Sequence, residues 1–205
     1  MTEITDKELF HVRLRLIDLV KSFFQDEPDA EKMSRWRGTF TALAQEQINP
    51  AFDNGVREIS SLLKSKNLES LQEEYYTLFT DPFANDQINT MASHYIDGRS
   101  FGKTLADFRG FIMAADIVKE KDVVDAEDSL VLMLDVLARL IEEEKDTESL
   151  EAREHQTTLL LEYLEPFTAK LSEAVQENEK ANFYQSCCTF LNGYLDLEKG
   201  LCTVQ

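Results

Sequence analysis

The sequence predicts an all-α protein, a single helical domain built from two helical halves joined by a hinge. Two observations carry that prediction. Only seven glycines and four prolines punctuate 205 residues, and apolar side chains recur at spacings of three and four along most of the chain, the period of an amphipathic helix. No convincing strand pattern interrupts them. With 43% hydrophobic residues the chain has enough material to fill a core.

The elements follow in order. A first helix is predicted from Thr5, whose hydroxyl caps while Glu8 reaches back, with Leu9, Val12, Leu16, Leu19 and Phe23 facing inward. Pro28 and Asp29 suit the entry of a second helix that holds Trp36, Phe40 and Leu43 and is ended by "NPAFDNG". Shorter pieces are expected at about 55–65 and 68–79. The stretch "EEYYTLF" in the latter puts Tyr75, Leu78 and Phe79 on one face, beside an irregular segment at 80–103 long enough to be functional. A helix at about 104–118 buries Leu105, Phe108, Phe111, Ile112 and Ala115. The charged connector "KEKDVVDAED" comes next and is the candidate hinge. Helices at about 126–144, 149–164, 166–178 and 180–197 complete the chain, Pro166 marking a break because it cannot donate to the preceding turn. The domain therefore spans 1–205, with an N-terminal half at about 1–118, a hinge at 119–127 and a C-terminal half at 128–205.

Two stretches imitate a nucleotide hydrolase and fail on spacing. In "DGRSFGKTLADF" only Arg99, Ser100 and Phe101 separate Gly98 from Gly102-Lys103, one residue short of a phosphate loop, and the preceding "MASHYID" is no buried strand. Gly98 reads as a turn and Thr104 as a helix start. The run "LVLMLD" is helical: Asp128, Asp135, Arg139 and Glu142 fall on one stripe, Leu130, Leu134, Leu137 and Ile141 on the other.

The 39 acidic and 21 basic residues give a formal charge of −18, which repels nucleic acids and anionic membrane surfaces and favours a basic partner. No uncharged apolar run approaches the ~18 residues of a membrane span. The N-terminus is acidic where an export signal would be basic, so a cytoplasmic protein is expected. Three cysteines make no disulfide framework or zinc motif, and Cys187 and Cys188 read as small buried apolar residues. Only Glu8 and His11 have the Glu-x-x-His spacing of a di-iron bundle, which needs it twice. No catalytic, metal or cofactor site is expected.

The pieces "LQEEYYTLF", "SHYIDG", "LADFRGFIMAADI", the acidic connector, "LLLEYLEPF" and "NFYQSCCTFL", in that order over residues 70–197, resemble the TorD/DmsD/NarJ group of redox-enzyme chaperones. The resemblance implies an all-helical cytoplasmic chaperone, not an enzyme. Its partner would be the apo form of a molybdoenzyme of the dimethyl sulfoxide reductase type, bound at the twin-arginine signal peptide while cofactor is inserted before export. It also implies that a domain-swapped homodimer is open to the chain. Weak GTP binding is implied too, for which the short glycine loop offers no support. The group's Glu-Pro-x-Asp-His motif corresponds to "DAEDS", with Asp125 and Asp128 kept and Ala126 and Ser129 in place of the proline and histidine.

A twin-arginine peptide presents two guanidinium groups beside an apolar segment, so its receptor should offer carboxylates next to an apolar groove. The expected peptide-binding residues are Tyr75, Leu78, Phe79, Tyr95, Asp122, Asp125, Asp128 and Ser129, with Glu127 adding to the acidic set. The competing expectation is a helical scaffold or regulatory adaptor that binds a folded partner.

Overall fold

A computed structural model describes residues 6–84, 86–119 and 125–203. Among these residues every regular element is helical, and the one strand-like feature is an isolated antiparallel bridge between Met91 and Ser129. The helices are α1 (Asp6–Phe24), α2 (Ala30–Leu43), α3 (Pro50–Ser65), α4 (Leu68–Tyr75), α5 (Ala92–Ile96), α6 (Lys103–Ala114), α7 (Leu130–Thr147), α8 (Leu150–Thr158), α9 (Glu165–Glu177) and α10 (Phe183–Thr203), with π-turns at Tyr76–Thr80 and Leu159–Leu164. Asp29, Asn49, Asn67, Ser129 and Ser149 each accept a hydrogen bond from the backbone N–H three residues on. Each cap satisfies an amide that the first helical turn leaves without a partner. The expected cap at Thr5 lies outside the described residues.

Four expectations are corrected. "NPAFDNG" starts a helix instead of ending one: Asn49 accepts from Phe52 at 2.8 Å, and Pro50 takes the first position, where its missing N–H costs nothing. Pro166 does not break the chain. The amide of Glu165 reaches back five residues to Leu160, and this widened turn carries α8 into α9 past a residue that lacks a donor. On α1 the expected Leu19 and Phe23 are buried, but Val12 is 47% exposed and Arg13, 5% exposed, is buried in its place. Asp128 precedes α7 and does not sit on its polar stripe.

The described chain groups into two compact units by contact. The first comprises Met1–Lys21, Thr90–Phe167 and Leu197–Gln205; the second comprises Ser22–Asn89 and Thr168–Asp196. This grouping interleaves the sequence, so residues on both sides of the 119–127 segment share one unit.

The second unit is built on rings. Phe23 lies 5.0 Å from Trp36, 6.0 Å from Phe40 and 6.3 Å from Phe190 between centroids, and Phe52 packs on Phe190 at 4.8 Å. The indole N–H of Trp36 donates to Ser22 at 2.8 Å, removing the polar cost of burying it. Two glycines let backbones touch: a Cβ on Gly55 would sit 2.7 Å from Cα of Phe190, and one on Gly193 would sit 2.5 Å from N of Phe52. Cys187 and Cys188 are fully buried, as expected. Burial pushes both thiols up, Cys188 to about 12.

The first unit buries Leu130, Leu134, Leu137 and Ile141, the predicted stripe of α7, together with Leu105, Phe108, Leu159 and Phe167. It also buries charge. Nε of Arg13 donates to Glu198 at 2.9 Å, and its two terminal nitrogens reach Gln156 at 2.6 Å and Glu144 at 3.4 Å. Glu198 is 1% exposed and Gln156 fully buried, so α1, α7, α8 and α10 meet on one satisfied polar network.

Candidate functional site

Of the expected peptide-binding residues, Tyr75, Leu78 and Phe79 come together in the second unit. They lie where α4 passes into the π-turn Tyr76–Thr80. Leu78 is fully buried, and the half-buried rings of Tyr75 and Phe79 stand 5.2 Å apart, both against Tyr184 at 6.1 and 4.9 Å. Phe24 closes the cluster at 6.2 Å from Phe79. Tyr184 is itself buried, its hydroxyl has no partner among the described residues, and burial raises its pKa well above the usual value. The outward-facing aromatic side chains of this region are Tyr76, 47% exposed, and Phe83, 89% exposed. The carboxylate of Glu74 holds the turn into α10, accepting from the amides of Asn182 at 2.7 Å and Tyr184 at 3.1 Å.

Tyr95, Asp125, Asp128 and Ser129 belong to the first unit. Asp122 lies outside the described residues. Asp125 is exposed, and its carbonyl accepts from Lys119. Asp128 contradicts the expectation of a peptide-facing acid because it is fully buried. Its Oδ2 accepts from the amide of Ser93 at 2.8 Å, its carbonyl accepts from Ala92 at 2.9 Å, and Leu130 donates to the carbonyl of Thr90 at 2.9 Å. The segment before α7 is thereby stitched to the start of α5. Ser129 is buried too, spent on capping α7, and Tyr95 leans on Phe167 at 5.9 Å. Glu127 pairs with Arg109 at 2.9 Å, and that hydrogen bond holds its carboxyl below the usual range.

The glycine loop is filled by its own chain. The carboxylate of Asp97 accepts from both the amide and the hydroxyl of Thr104, at 2.8 and 3.0 Å, so the N-terminus of α6 already holds an anion. Gly98 turns with φ +71°, and a side chain on Gly102 would collide with Asp97.

Sequence reasoning missed a groove of about 620 Å³ between the C-terminal end of α6 and α7. Phe108, Ile112, Ile117, Val118, Leu132 and Val136 give it an apolar lining, and Asp116, Lys119, Glu127, Asp135 and Arg139 edge it. The signal was present as Leu132 and Val136, apolar positions of α7 that fall beside the predicted stripe and not on it. A cleft of about 930 Å³ lies over the Arg13 network, lined by Lys7, Phe10, His11, Lys145, Leu150 and Arg153 among others. No cluster of His, Cys, Asp and Glu suited to a metal ion occurs among the described residues, and no described helix is long and apolar enough to cross a membrane.

Comparison with known proteins places this arrangement. The family model described as nitrate reductase delta subunit matches residues 45–173, more than half of the chain. A chaperone protein TorD from Actinobacillus succinogenes is 32% identical over 93 residues, which are 45% of this chain and 45% of that protein, so the match spans less than half the length of the curated relative. The crystal structure of a redox enzyme maturation protein from Archaeoglobus fulgidus shares the fold, with a TM-score of 0.50 at 21% identity over 91% of this chain and 93% of that one. On the extent of the family match, and with the ordered motifs of residues 70–197 pointing the same way, the chain belongs to the nitrate reductase delta subunit family, within the TorD/DmsD/NarJ group.

Proposed function

We propose that the protein is a cytoplasmic maturation chaperone that binds the apo form of a molybdoenzyme catalytic subunit of the dimethyl sulfoxide reductase type, at its twin-arginine signal peptide. It holds that client back from export until cofactor is inserted, and it carries out no catalysis of its own. The observation that carries the reading is the family match over residues 45–173. The formal charge of −18 suits a partner whose leader is basic, and an open apolar groove edged by charges suits a peptide more than a small substrate.

The test is to capture the protein from cells and identify what comes with it by mass spectrometry, with and without molybdenum cofactor synthesis. An apo-reductase that co-purifies, and is released once cofactor is loaded, is the expected result. Calorimetric titration with a twin-arginine leader peptide and a twin-lysine control should show binding of the first in preference to the second. A partner retained regardless of cofactor, with neither peptide bound, would instead establish the scaffold reading.

A further inference from the structure

We propose that the cleft between α2 and α3 docks an acidic segment of a protein partner, holding its carboxylates at Arg37, Ser60 and Lys64. The charge pattern of the sequence prepares this surface. In a chain of 39 acidic and 21 basic residues, residues 32–45 carry Lys32, Arg35 and Arg37 and no acid, and residues 59–68 carry Lys64 and Lys66 and no acid. α2 packs along α3, and hydrogen bonds from Arg37 to the end of α3 bring the two stretches together. The formal charge of −18 belongs mostly to other parts of the chain. Screening over ~8 Å at physiological ionic strength lets a partner at this face meet the nearby cations before the distant acids.

The cleft encloses about 440 Å³ and is lined by Arg37, Phe40, Thr41, Ser60, Leu63 and Lys64, with no acid among them. Nε and Nη2 of Arg37 donate to the carbonyls of Leu63 at 2.9 Å and Lys66 at 3.2 Å, which fixes the guanidinium and leaves other donors of its fork free. Lys66 is spent on Glu74 at 2.9 Å. Arg37 and Lys64 have no carboxylate partner among the described residues. Ser60 points independently to a ligand. It is only 8% exposed, and its hydroxyl has no hydrogen-bond partner among the described residues. A hydroxyl so placed has donor capacity that an entering carboxylate oxygen satisfies.

The backbone favours carboxylates over phosphate. Phosphate sites draw on the free amides and positive dipole of a helix N-terminus, and no lining residue lies in the first turn of α2 or α3. Leu63 and Lys64 stand in the last turn of α3, whose dipole opposes a concentrated dianion. Single charges spaced along a chain segment meet that end with less repulsion. Arg37 from α2 and Lys64 from α3 face the cleft from its two walls, which suits acidic side chains entering from a segment laid between them. A basic leader peptide is repelled here, so this surface is separate from any that holds the leader.

The test uses full-length protein at physiological ionic strength and a fluorescent glutamate-rich peptide, with its glutamine counterpart as control, followed by anisotropy. The glutamate peptide should bind and the glutamine peptide should not. Lys64→Glu changes an exposed side chain, so melting should be unaltered while binding weakens about fivefold or more. Ser60→Ala removes an unpartnered hydroxyl, so melting should not fall, yet binding should weaken about three- to tenfold. Carbodiimide, which joins a carboxylate to an amine in contact with it, should link the glutamate peptide to Lys64. No binding of that peptide, equal binding of the two peptides, wild-type affinity in either variant, or linkage confined to other lysines would overturn the proposal. Calorimetric titration with inorganic pyrophosphate covers the other chemistry: binding that Lys64→Glu abolishes, with no binding of the glutamate peptide, would make the cleft a small-anion site instead.

Discussion

The second unit holds its interior together with aromatic rings and close backbone passages, whereas the first sets a buried guanidinium among two carboxylates and an amide. The two differ in tolerance. Ring packing is set by shape and loses stability in proportion to volume lost or added. A buried charge network is set by completeness, since each member compensates the desolvation of the others and removal of one strands the rest. A change of one side chain should therefore act very unequally in the two regions.

The sharpest way to break that contrast is Arg13→Ala. It leaves Glu198, 1% exposed, without its main partner, and should cost about 3–5 kcal/mol in urea unfolding. The double variant Arg13→Met with Glu198→Leu should recover part of the loss, because it removes the stranded carboxylate of Glu198, while Gln156 and Glu144 lose the guanidinium and keep their bond to each other. A loss under about 1 kcal/mol for Arg13→Ala would show that the network is incidental. In the second unit, Gly193→Ala drives a methyl group against the backbone of Phe52 and should cost about 1–3 kcal/mol by the same measurement.

Asp128→Ala should have a similar or slightly smaller effect, about 1–3 kcal/mol, because it strips the acceptor from the buried amide of Ser93. It separates a structural role from a binding one: if peptide affinity falls while melting stays at the wild-type temperature, Asp128 faces the ligand after all. The smallest effect is expected for Lys103→Ala. Its pairing with Asp107 is open to solvent, so melting temperature, peptide affinity and client activation should all be unchanged.

The same contrast explains what the sequence disclosed. Aromatic and aliphatic periodicity is a local signal, so the all-helical class, the stripe of α7 and the burial of Trp36, Phe40 and Cys187 could be read directly. Arg13 could not, because its partners Glu144, Gln156 and Glu198 are 131 to 185 residues away and a lone arginine in an amphipathic pattern reads as exposed. Asp128 misled for a related reason. In a connector of many acids its carboxylate reads as solvated, and only the return of residues 90–93 makes it internal. Pro50 and Pro166 show that proline spells a helix start or a widened turn as readily as a stop, and flanking residues decide which. The groove at α6 and α7 was hidden because Leu132 and Val136 belong to a helix whose other side fills the core.

Cys187 and Cys188 have a further use. Neighbours on a helix point about 100° apart, so the two sulfurs cannot reach the geometry of a mutual disulfide while α10 stays wound. Burial keeps both thiols protonated, and a water-soluble thiol reagent can reach them only when the structure around α10 opens. The rate at which native protein loses these two thiols to such a reagent is therefore a clock for the opening of the second unit, one that needs no added label and can be read with the client bound or absent.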